Sequence, residues 1–441
     1  MLGAGLIAQS ALVAPKRISG RCARLLSTSP QLAKKNAGAD RTQSTAFIKK
    51  GNLEDKRLRT GTATSVNMAN ANQLYYTELP KLELPTLNAH TAGLEHTDKV
   101  MQIDDGFLSS LGEEHYPGNL GNDFKLFGTP ALLYRRFTAK LVSQLAQYAE
   151  KAPERASVLD GKNGVGKSAE LLKVASVAAS SGYLVIYAHS TTRWVDSSRP
   201  YALRSNSDQY MQLEIVSELL RGIGAMNSEV LSQIPLGKDL VVGKKTLTAT
   251  KTLADLVDLG VRTPALAHNV FEALLAIAST QTNVPVLLAV DEVNTLWSTS
   301  NYRDHNDEIL PASRLRLISS LLPFFEGKST LAKGWVLGAT SYSDTRFMPK
   351  NMRDTLNPAP KVPVANRELA KELKAEKLQN ALPFSVLRVG TMSAMEARAL
   401  MNFYHRANII ASPVTEALVA KRWIVGSGNP RQMFAGVTSF F

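Results

Sequence analysis

A glycine-rich segment at residues 161–168, GKNGVGKS, constrains the fold of this chain more than any other feature. It fits the pattern G-x-x-x-x-G-K-[ST], with Gly161, Gly166, Lys167 and Ser168 at the fixed positions. In this pattern the glycines let backbone amides turn inward around a phosphate, the lysine carries a charge to the outer phosphates, and the hydroxyl ligates magnesium. The following helix adds the positive end of its dipole. We therefore predict that this glycine-rich loop binds a nucleotide, through Gly161, Asn163, Gly164, Val165, Gly166, Lys167, Ser168 and Ala169.

Apolar segments and helix-forming segments alternate along the chain on either side of this loop. We predict strands at 156–159, 183–188, 284–290 and 335–339. We predict helices at 169–179, 209–223, 263–282 and 315–325. Such alternation is typical of a parallel sheet with helices on both faces. The sequence therefore predicts an α/β protein with the glycine-rich loop between its first core strand and the helix that follows.

Polar residues at the ends of two predicted strands are candidates for the same site. Four apolar residues run into Asp291, which then lies at the carboxyl edge of the sheet, where ligands bind in such folds. We expect Asp291 and Ser168 to hold Mg²⁺. Glu292 is a candidate for the base that orients an attacking water, and capping of the strand is the alternative for both acids. Thr340 is a candidate for contact with the terminal phosphate, and a simple strand-end cap explains it equally well.

The first 39 residues contain no aspartate or glutamate and carry six basic residues among alanine, leucine and serine. This composition is typical of a mitochondrial transit peptide, and the basic residues follow the apolar stretch, which is the wrong order for a secretory signal. A disordered basic tail is the alternative. Cleavage after Leu26 would remove Cys22, the only cysteine, and so exclude disulfides, cysteine-ligated zinc and cysteine catalysis.

The net charge of the chain is +13, from 51 lysines and arginines against 38 acidic residues. Cleavage after residue 26 removes four positive charges and leaves 13 − 4 = +9, so targeting alone does not explain the excess. A polyanionic partner such as RNA is therefore expected, and an anionic membrane surface is the alternative. Residues 27–125 are predicted to form an extended basic arm that binds nucleic acid, and a solvated linker is the alternative. No apolar run approaches the roughly 20 residues that a membrane-spanning helix needs.

Residues 130–150 have proline near the start and apolar residues at helical spacing, which predicts a helix before the first core strand. Two polar insertions interrupt the core. The first, 190–208, carries Arg193, Trp194, Arg199 and Arg204. The second, 237–251, is expected to form a hairpin at Gly243 and carries Lys238, Lys244, Lys245 and Lys251. Cations interleaved with an aromatic residue suit RNA contacts, and solvated loops are the alternative.

A linker and a small C-terminal helical domain are predicted after residue 345. Its helices are expected at 393–406, 413–423 and 429–440. Ser393 with Glu396 three residues later forms the pattern of a capping box, and Arg431 is a weak candidate for contact with the nucleotide. The predicted divisions are a transit peptide, a basic arm, a nucleotide-binding domain and the linker with the helical domain, at 1–26, 27–125, 126–345 and 346–441.

The chain resembles the family of mitochondrial small-subunit ribosomal proteins known as death-associated protein 3. The resemblance covers about residues 125–441. It is carried by the glycine-rich loop, Trp194-Val195, the segment VDEVNTLW at 290–297, the region of Ser341, and Gly428-Asn429-Pro430. The segment after Val290 is the most specific of these, because the loop pattern alone is generic.

This resemblance implies a P-loop NTPase core similar to AAA+ or STAND ATPases and a structural place in the head of the small mitoribosomal subunit, in the mitochondrial matrix. Ribosomal RNA and other mitoribosomal proteins are then the expected partners. It also implies a bound purine nucleotide with Mg²⁺, usually GTP. The residues leave ATP open, since the Asn-Lys-x-Asp signature of small GTPases is absent. Glu292 departs from members with a non-acidic residue there, so hydrolysis stays open.

Two alternative functions remain at this point. One is a matrix ATPase of the AAA+ type that acts as a remodelling machine, with hexamers, turnover and an arginine from a neighbouring subunit. The other is a nucleotide-dependent switch in cell-death signalling, which only the resemblance suggests. In the ribosomal interpretation, the nucleotide chiefly stabilises the fold, and weak NTPase activity is compatible with this role but not required.

Overall fold

The computed structural model describes residues 82–205, 207–356 and 382–438. The predicted transit peptide and most of the predicted basic arm lie outside these residues. The strands are β1 (Thr86–Leu87), β2 (Lys99–Ile103), β3 (Ala131–Tyr134), β4 (Ser157–Asp160), β5 (Leu184–Ala188), β6 (Ala202–Leu203), β7 (Tyr210–Met211), β8 (Leu240–Val242), β9 (Lys245–Leu247), β10 (Val286–Asp291), β11 (Thr299–Arg303), β12 (Ile309–Pro311), β13 (Gly334–Ala339) and β14 (Ser385–Arg388). The α-helices are α1 (Asp105–Leu111), α2 (Leu120–Phe127), α3 (Arg136–Tyr148), α4 (Lys167–Ser180), α5 (Leu213–Met226), α6 (Ser228–Gln233), α7 (Leu253–Arg262), α8 (Ala267–Thr280), α9 (Arg316–Phe325), α10 (Lys350–Leu356), α11 (Ala394–Arg406), α12 (Glu416–Val425) and α13 (Pro430–Thr438).

A five-stranded sheet in the order β14-β4-β13-β10-β5 forms the centre, and all four strand pairs are parallel. Alternate residues of β10 face opposite sides of this sheet. Val286, Leu288 and Val290 pack in one core with α5, α7, α8 and α9. Leu287 and Ala289 pack in a second core with α3 and α4. Burial on both faces explains the unbroken apolar run of β10 and confirms the predicted α/β fold with a parallel sheet.

A three-stranded sheet in the order β1-β2-β3 packs beside the central sheet. Both the predicted helix at 130–150 and the predicted extended arm are corrected here. Residues 131–134 form β3, which pairs antiparallel with β2, so the helix begins only at Arg136. Residues 82–125 of the predicted arm form β1, β2, α1 and most of α2, because their apolar residues, such as Ile103 and Phe107, are buried in the core.

The C-terminal helices were predicted closely, and they pack on the small sheet. The capping box of α11 is present, since Ser393 accepts a hydrogen bond from the amide of Glu396 and the Glu396 carboxylate accepts one from the amide of Ser393. A third core joins α11, α12 and α13 to Val100 and Leu133 of the small sheet. The predicted linker contains an element that the sequence did not show, because β14 extends the central sheet beside β4.

The second polar insertion forms the predicted hairpin. Strands β8 and β9 pair antiparallel, and Gly243 adopts a positive φ of 62° at the turn. Two further short hairpins, β6–β7 and β11–β12, lie in the parts of the chain that follow β5 and β10. Each α-helix in the described ranges is too short or too polar to cross a lipid bilayer.

Candidate functional site

The glycine-rich loop connects β4, which ends at Asp160, to α4, which begins at Lys167. Its geometry leaves several donors available. Gly164 and Gly166 have φ values of 82° and 97°, in the left-handed region that favours glycine. Among the described residues, the amides of Gly166, Lys167, Ser168 and Ala169 find no hydrogen-bond acceptor. Unpaired amides at the start of a long helix are the arrangement that holds an anion such as a phosphate.

Close packing against the C-terminal part of the chain requires glycine at two loop positions. A Cβ atom on Gly161 would lie 2.5 Å from the carbonyl oxygen of Val389. A Cβ atom on Gly164 would lie 2.8 Å from Oδ1 of Asn429 and 2.9 Å from Cβ of Arg431. The loop is therefore held in place by the residues that precede α11 and begin α13.

Lys167 folds its side chain back over the loop. Its Nζ donates to the carbonyl oxygens of Gly161 and Lys162, at 2.8 and 3.1 Å. Burial lowers the pKa of Lys167, while the carboxylates of Asp160 and Asp291 raise it. The ammonium group is therefore partly shielded from water and lies near two carboxylates. A bound phosphate would add negative charge beside it and stabilise its protonated form further.

Ser168 and Asp291, the two predicted magnesium ligands, are in direct contact. The Ser168 hydroxyl donates to Oδ1 of Asp291 at 3.0 Å. Asp291 is only 2% exposed, and burial, followed by the neighbouring Glu292, raises its pKa to about 7. A hydroxyl and a carboxylate are the hard oxygen ligands that Mg²⁺ takes beside phosphates, so these two residues fit the cation.

Glu292 adopts a left-handed backbone conformation with φ 58°. Its Oε2 atom accepts a hydrogen bond from the amide of Thr192 at 3.0 Å. The hydroxyl of Thr191 donates to the carbonyl oxygens of Asp291 and Glu292, which fixes this turn beside the end of β5. The carboxylate thus braces the turn after β10, and its role as a base stays a prediction.

Thr340 lies at the end of β13 and is buried, with its hydroxyl 2.8 Å from Oδ1 of Asp160. The hydroxyl of Tyr342 donates to the same oxygen at 2.8 Å, and Arg388 donates to the other. Asp160 thereby joins three neighbouring segments at the carboxyl edge of the sheet. Thr340 lines the same cavity as the glycine-rich loop, as expected, and its contact with a phosphate stays a prediction.

A cavity of about 450 Å³ opens in front of the loop. Its walls come from the loop, from α2 and the residues before it, from β3, and from α11 and α13. Of this lining, the sequence predicted the loop, Thr340 and Arg431. The walls also include Asp123 and Arg135, which no sequence motif marked.

Arg135 connects three parts of this cavity through one buried guanidinium group. Its Nε lies 3.2 Å from Oε1 of Glu396 on α11, and both side chains are 7% exposed. Its Nη2 donates to the carbonyl oxygens of Gly390 and Thr391 at 3.0 Å, and Nη1 donates to that of Val165 at 3.4 Å. The C-terminal helices are thereby attached to the glycine-rich loop. Sequence spacing gave no sign of this contact.

The predicted RNA contacts separate into two groups. Trp194 is only 4% exposed and packs in the core, so its side chain does not supply the aromatic surface expected there for RNA contact. Arg199 forms ion pairs with Glu214 and Glu218. In the β8–β9 hairpin, by contrast, exposed cations have no ion pair among the described residues: Lys238, Lys244 and Lys245.

Fold and site together define an α/β protein in which a glycine-rich loop and C-terminal helices surround one cavity, and Ser168 of the serine–aspartate pair lines its wall. Comparison with known proteins narrows this class. The chain belongs to the family described as mitochondrial ribosomal death-associated protein 3, whose family model matches residues 132–436. This membership confirms the resemblance seen in the sequence, and the mitochondrial ribosomal location expected from it.

Curated relatives agree with the family. The chain is 23% identical over 356 residues to the protein named small ribosomal subunit protein mS29 of Schizosaccharomyces pombe, covering 77% of this chain and 71% of that protein. Proteins of the same name from Neurospora crassa and Bos taurus are also 23% identical, over 69% and 58% of this chain and 66% of each relative.

Proposed function

We propose that this chain is a structural component of the small subunit of the mitochondrial ribosome, and that it binds a purine nucleotide with Mg²⁺ and contacts ribosomal RNA. The family match and the names of the relatives support the ribosomal assignment and do not favour the remodelling ATPase. The observation that carries nucleotide binding is the row of unpaired amides at the start of α4, beside Lys167 and the Ser168–Asp291 pair. We also propose that the central sheet and its helices form a P-loop core of the AAA+ or STAND type.

In this proposal the loop amides and Lys167 hold the phosphates, and Ser168 with Asp291 holds the magnesium ion. The nucleotide acts mainly as a structural ligand, because it fills the cavity between the sheet and the C-terminal helices. A ligand that binds only the folded state stabilises it by about 4 kcal/mol at a thousandfold excess over its Kd.

RNA contact is proposed for the β8–β9 hairpin, because its lysines are exposed and unpaired. Phosphate contacts of this kind weaken steeply with salt. The proposal predicts that replacing Lys244 and Lys245 with glutamine lowers RNA affinity and its salt dependence, while the fold is unchanged.

The test begins with sedimentation of mitochondrial lysate through a sucrose gradient at moderate salt. The chain should comigrate with small-subunit ribosomal RNA and leave that fraction after ribonuclease treatment. Sedimentation as a free monomer or ring would refute the ribosomal assignment.

The nucleotide is tested with Lys167→Ala, and Lys162→Ala serves as the control because it removes an exposed charge from the same loop. The first variant should lose most of its nucleotide affinity and assemble poorly, and the control should do neither. Normal ribosomal assembly of a Lys167→Ala protein that no longer binds nucleotide would refute a structural role for the nucleotide.

A further inference from the structure

The cavity continues beyond the glycine-rich loop into an aromatic recess, formed by Phe127 on α2, Phe403 and Tyr404 on α11, and Phe434 on α13. The ring of Phe434 lies 5.4 Å from that of Tyr404 and 5.8 Å from that of Phe127. Aromatic and apolar side chains are the common surroundings of a planar ligand ring. This recess is therefore suited to the base of a nucleotide whose phosphates lie on the loop.

Asp123, in the first turns of α2, adds a carboxylate to the cavity wall. Among the described residues, its side chain forms no hydrogen bond or ion pair. Burial raises the pKa of Asp123, and the charge of Arg431 partly offsets this effect. The carboxylate is thus half-buried beside an aromatic recess without a donor.

The other acidic residue of the cavity wall is already engaged. Glu170 accepts hydrogen bonds from the hydroxyl of Thr138 at 2.7 Å and from Nζ of Lys173 at 2.9 Å. Both Glu170 and Lys173 are buried, so this pair is part of the protein interior. A ligand that offers N–H donors to this cavity therefore meets Asp123.

We propose that Asp123 recognises the base of the bound nucleotide and selects guanine. The inference rests on the nucleotide binding proposed above. Guanine presents two adjacent donors, N1–H and the exocyclic N2 amino group, and one carboxylate can accept from both. This geometry resembles the two-point pairing of carboxylates with guanidinium groups.

The same carboxylate discriminates against other purines. Adenine has an unprotonated N1 atom, whose lone pair would face a carboxylate oxygen without a proton between them. Hypoxanthine retains N1–H but lacks the N2 amino group, so it loses one of the two hydrogen bonds. Xanthine carries a carbonyl oxygen in place of that amino group, which a carboxylate repels and an asparagine amide can bind.

The experiment measures the Kd of the full-length chain for GDP, ADP, IDP and XDP with Mg²⁺, after co-purified nucleotide has been removed. The wild-type chain should bind GDP about 10- to 100-fold more tightly than ADP, the range for hydrogen bonds to a charged group, with IDP between them. Asp123→Asn should lose GDP affinity by a similar factor and gain affinity for XDP. Asp105→Asn makes the same chemical change at an exposed position outside the cavity and should leave all four values unchanged.

The gain of XDP binding cannot come from an unfolded protein, so the asparagine variant controls for its own stability. Equal wild-type affinities for GDP and ADP would overturn base selection by Asp123 and leave nucleotide binding intact. An Asp123→Asn variant with the nucleotide selectivity of the wild-type chain would also overturn base selection by Asp123 and leave nucleotide binding intact. If the wild-type chain binds none of the four nucleotides, both the proposed function and this inference are wrong.

Discussion

Replacing Arg135 with methionine is expected to destabilise the folded chain strongly. The guanidinium group is 7% exposed and donates to Glu396 and to the carbonyl oxygens of Gly390 and Thr391. Methionine fills much of the same volume but leaves the Glu396 carboxylate buried without its cation. Breaking a buried pair by removing one partner costs about 3–5 kcal/mol.

The expected change in melting temperature follows from the size of the folded part. The structure describes roughly 330 residues. With an unfolding entropy of about 2.1 cal/mol/K per residue, a loss of about 3–5 kcal/mol lowers the Tm by about 4–7 °C. Thermal unfolding of the full-length chain measures this shift. Hydrogen exchange should show faster opening of α11, because Arg135 attaches its first turn to the cavity.

Two further variants separate the ion pair from the packing. Arg135→Met combined with Glu396→Gln removes both charges and keeps the capping box, so it should recover a large part of the lost stability. Arg136→Met removes a neighbouring arginine whose side chain is 78% exposed and should change the free energy of unfolding by less than about 0.5 kcal/mol. A loss below about 1 kcal/mol in Arg135→Met, or no recovery in the double variant, would refute this reasoning.

Three further variants test other parts of the site. Gly164→Ala should lower the free energy of unfolding by more than about 1 kcal/mol in chemical denaturation, because its φ is 82° and its Cβ would lie 2.8 Å from Asn429. Gly237 is the control, since its φ is also positive, at 71°, but no atom would contact an added Cβ, so Gly237→Ala should lose less stability. Equal losses in the two variants would contradict the packing argument. Ser393→Ala should cost about 0.5–2 kcal/mol by removing the cap of α11, and hydrogen exchange unchanged in that helix would contradict this. Burial raises the folded-state pKa of Asp291 to about 7, above its unfolded value of about 4, so the carboxyl takes up a proton on folding and the free energy of unfolding falls as pH rises between these values. Without metal, Asp291→Asn should remove that slope, and a slope that persists would show that another group causes it.

Burial explains which parts of the fold the sequence predicted. The strands β4, β5, β10 and β13 were predicted to within two residues, because burial on both faces gives each an apolar run with turns at its ends. Among the strands that the sequence did not predict, β14 and β3 were missed for opposite reasons. β14 is a short edge strand that is largely half-exposed, so it has no apolar run. The leucines of β3 continue into the apolar pattern of α3, and only pairing with β2 distinguishes them from a helix.

Helix α7 was also missed, although a signal was present. Thr252 and Asp255 form a capping box at its start, and the hydrophobic residues that follow are buried at helical spacing. The residues of the candidate site likewise include some that the sequence predicts and some that it does not. The glycine-rich loop and Asp291 carry local patterns, whereas Asp123 and Arg135 reach the cavity only through tertiary packing.

The composition of the cavity wall has a consequence for when the cavity can form during synthesis of the chain. Its residues extend from Pro117 before α2 to Thr438 at the end of α13. A growing chain therefore contains the loop segment between β4 and α4 long before the residues of α13, which close the cavity, have been synthesised. Contacts of such long sequence separation form late in folding. A chain truncated before Asn429 would keep the residues of the loop but lose both the packing of Asn429 and Arg431 against Gly164 and the cavity wall formed by α13, so only the chain that includes α13 presents the whole cavity.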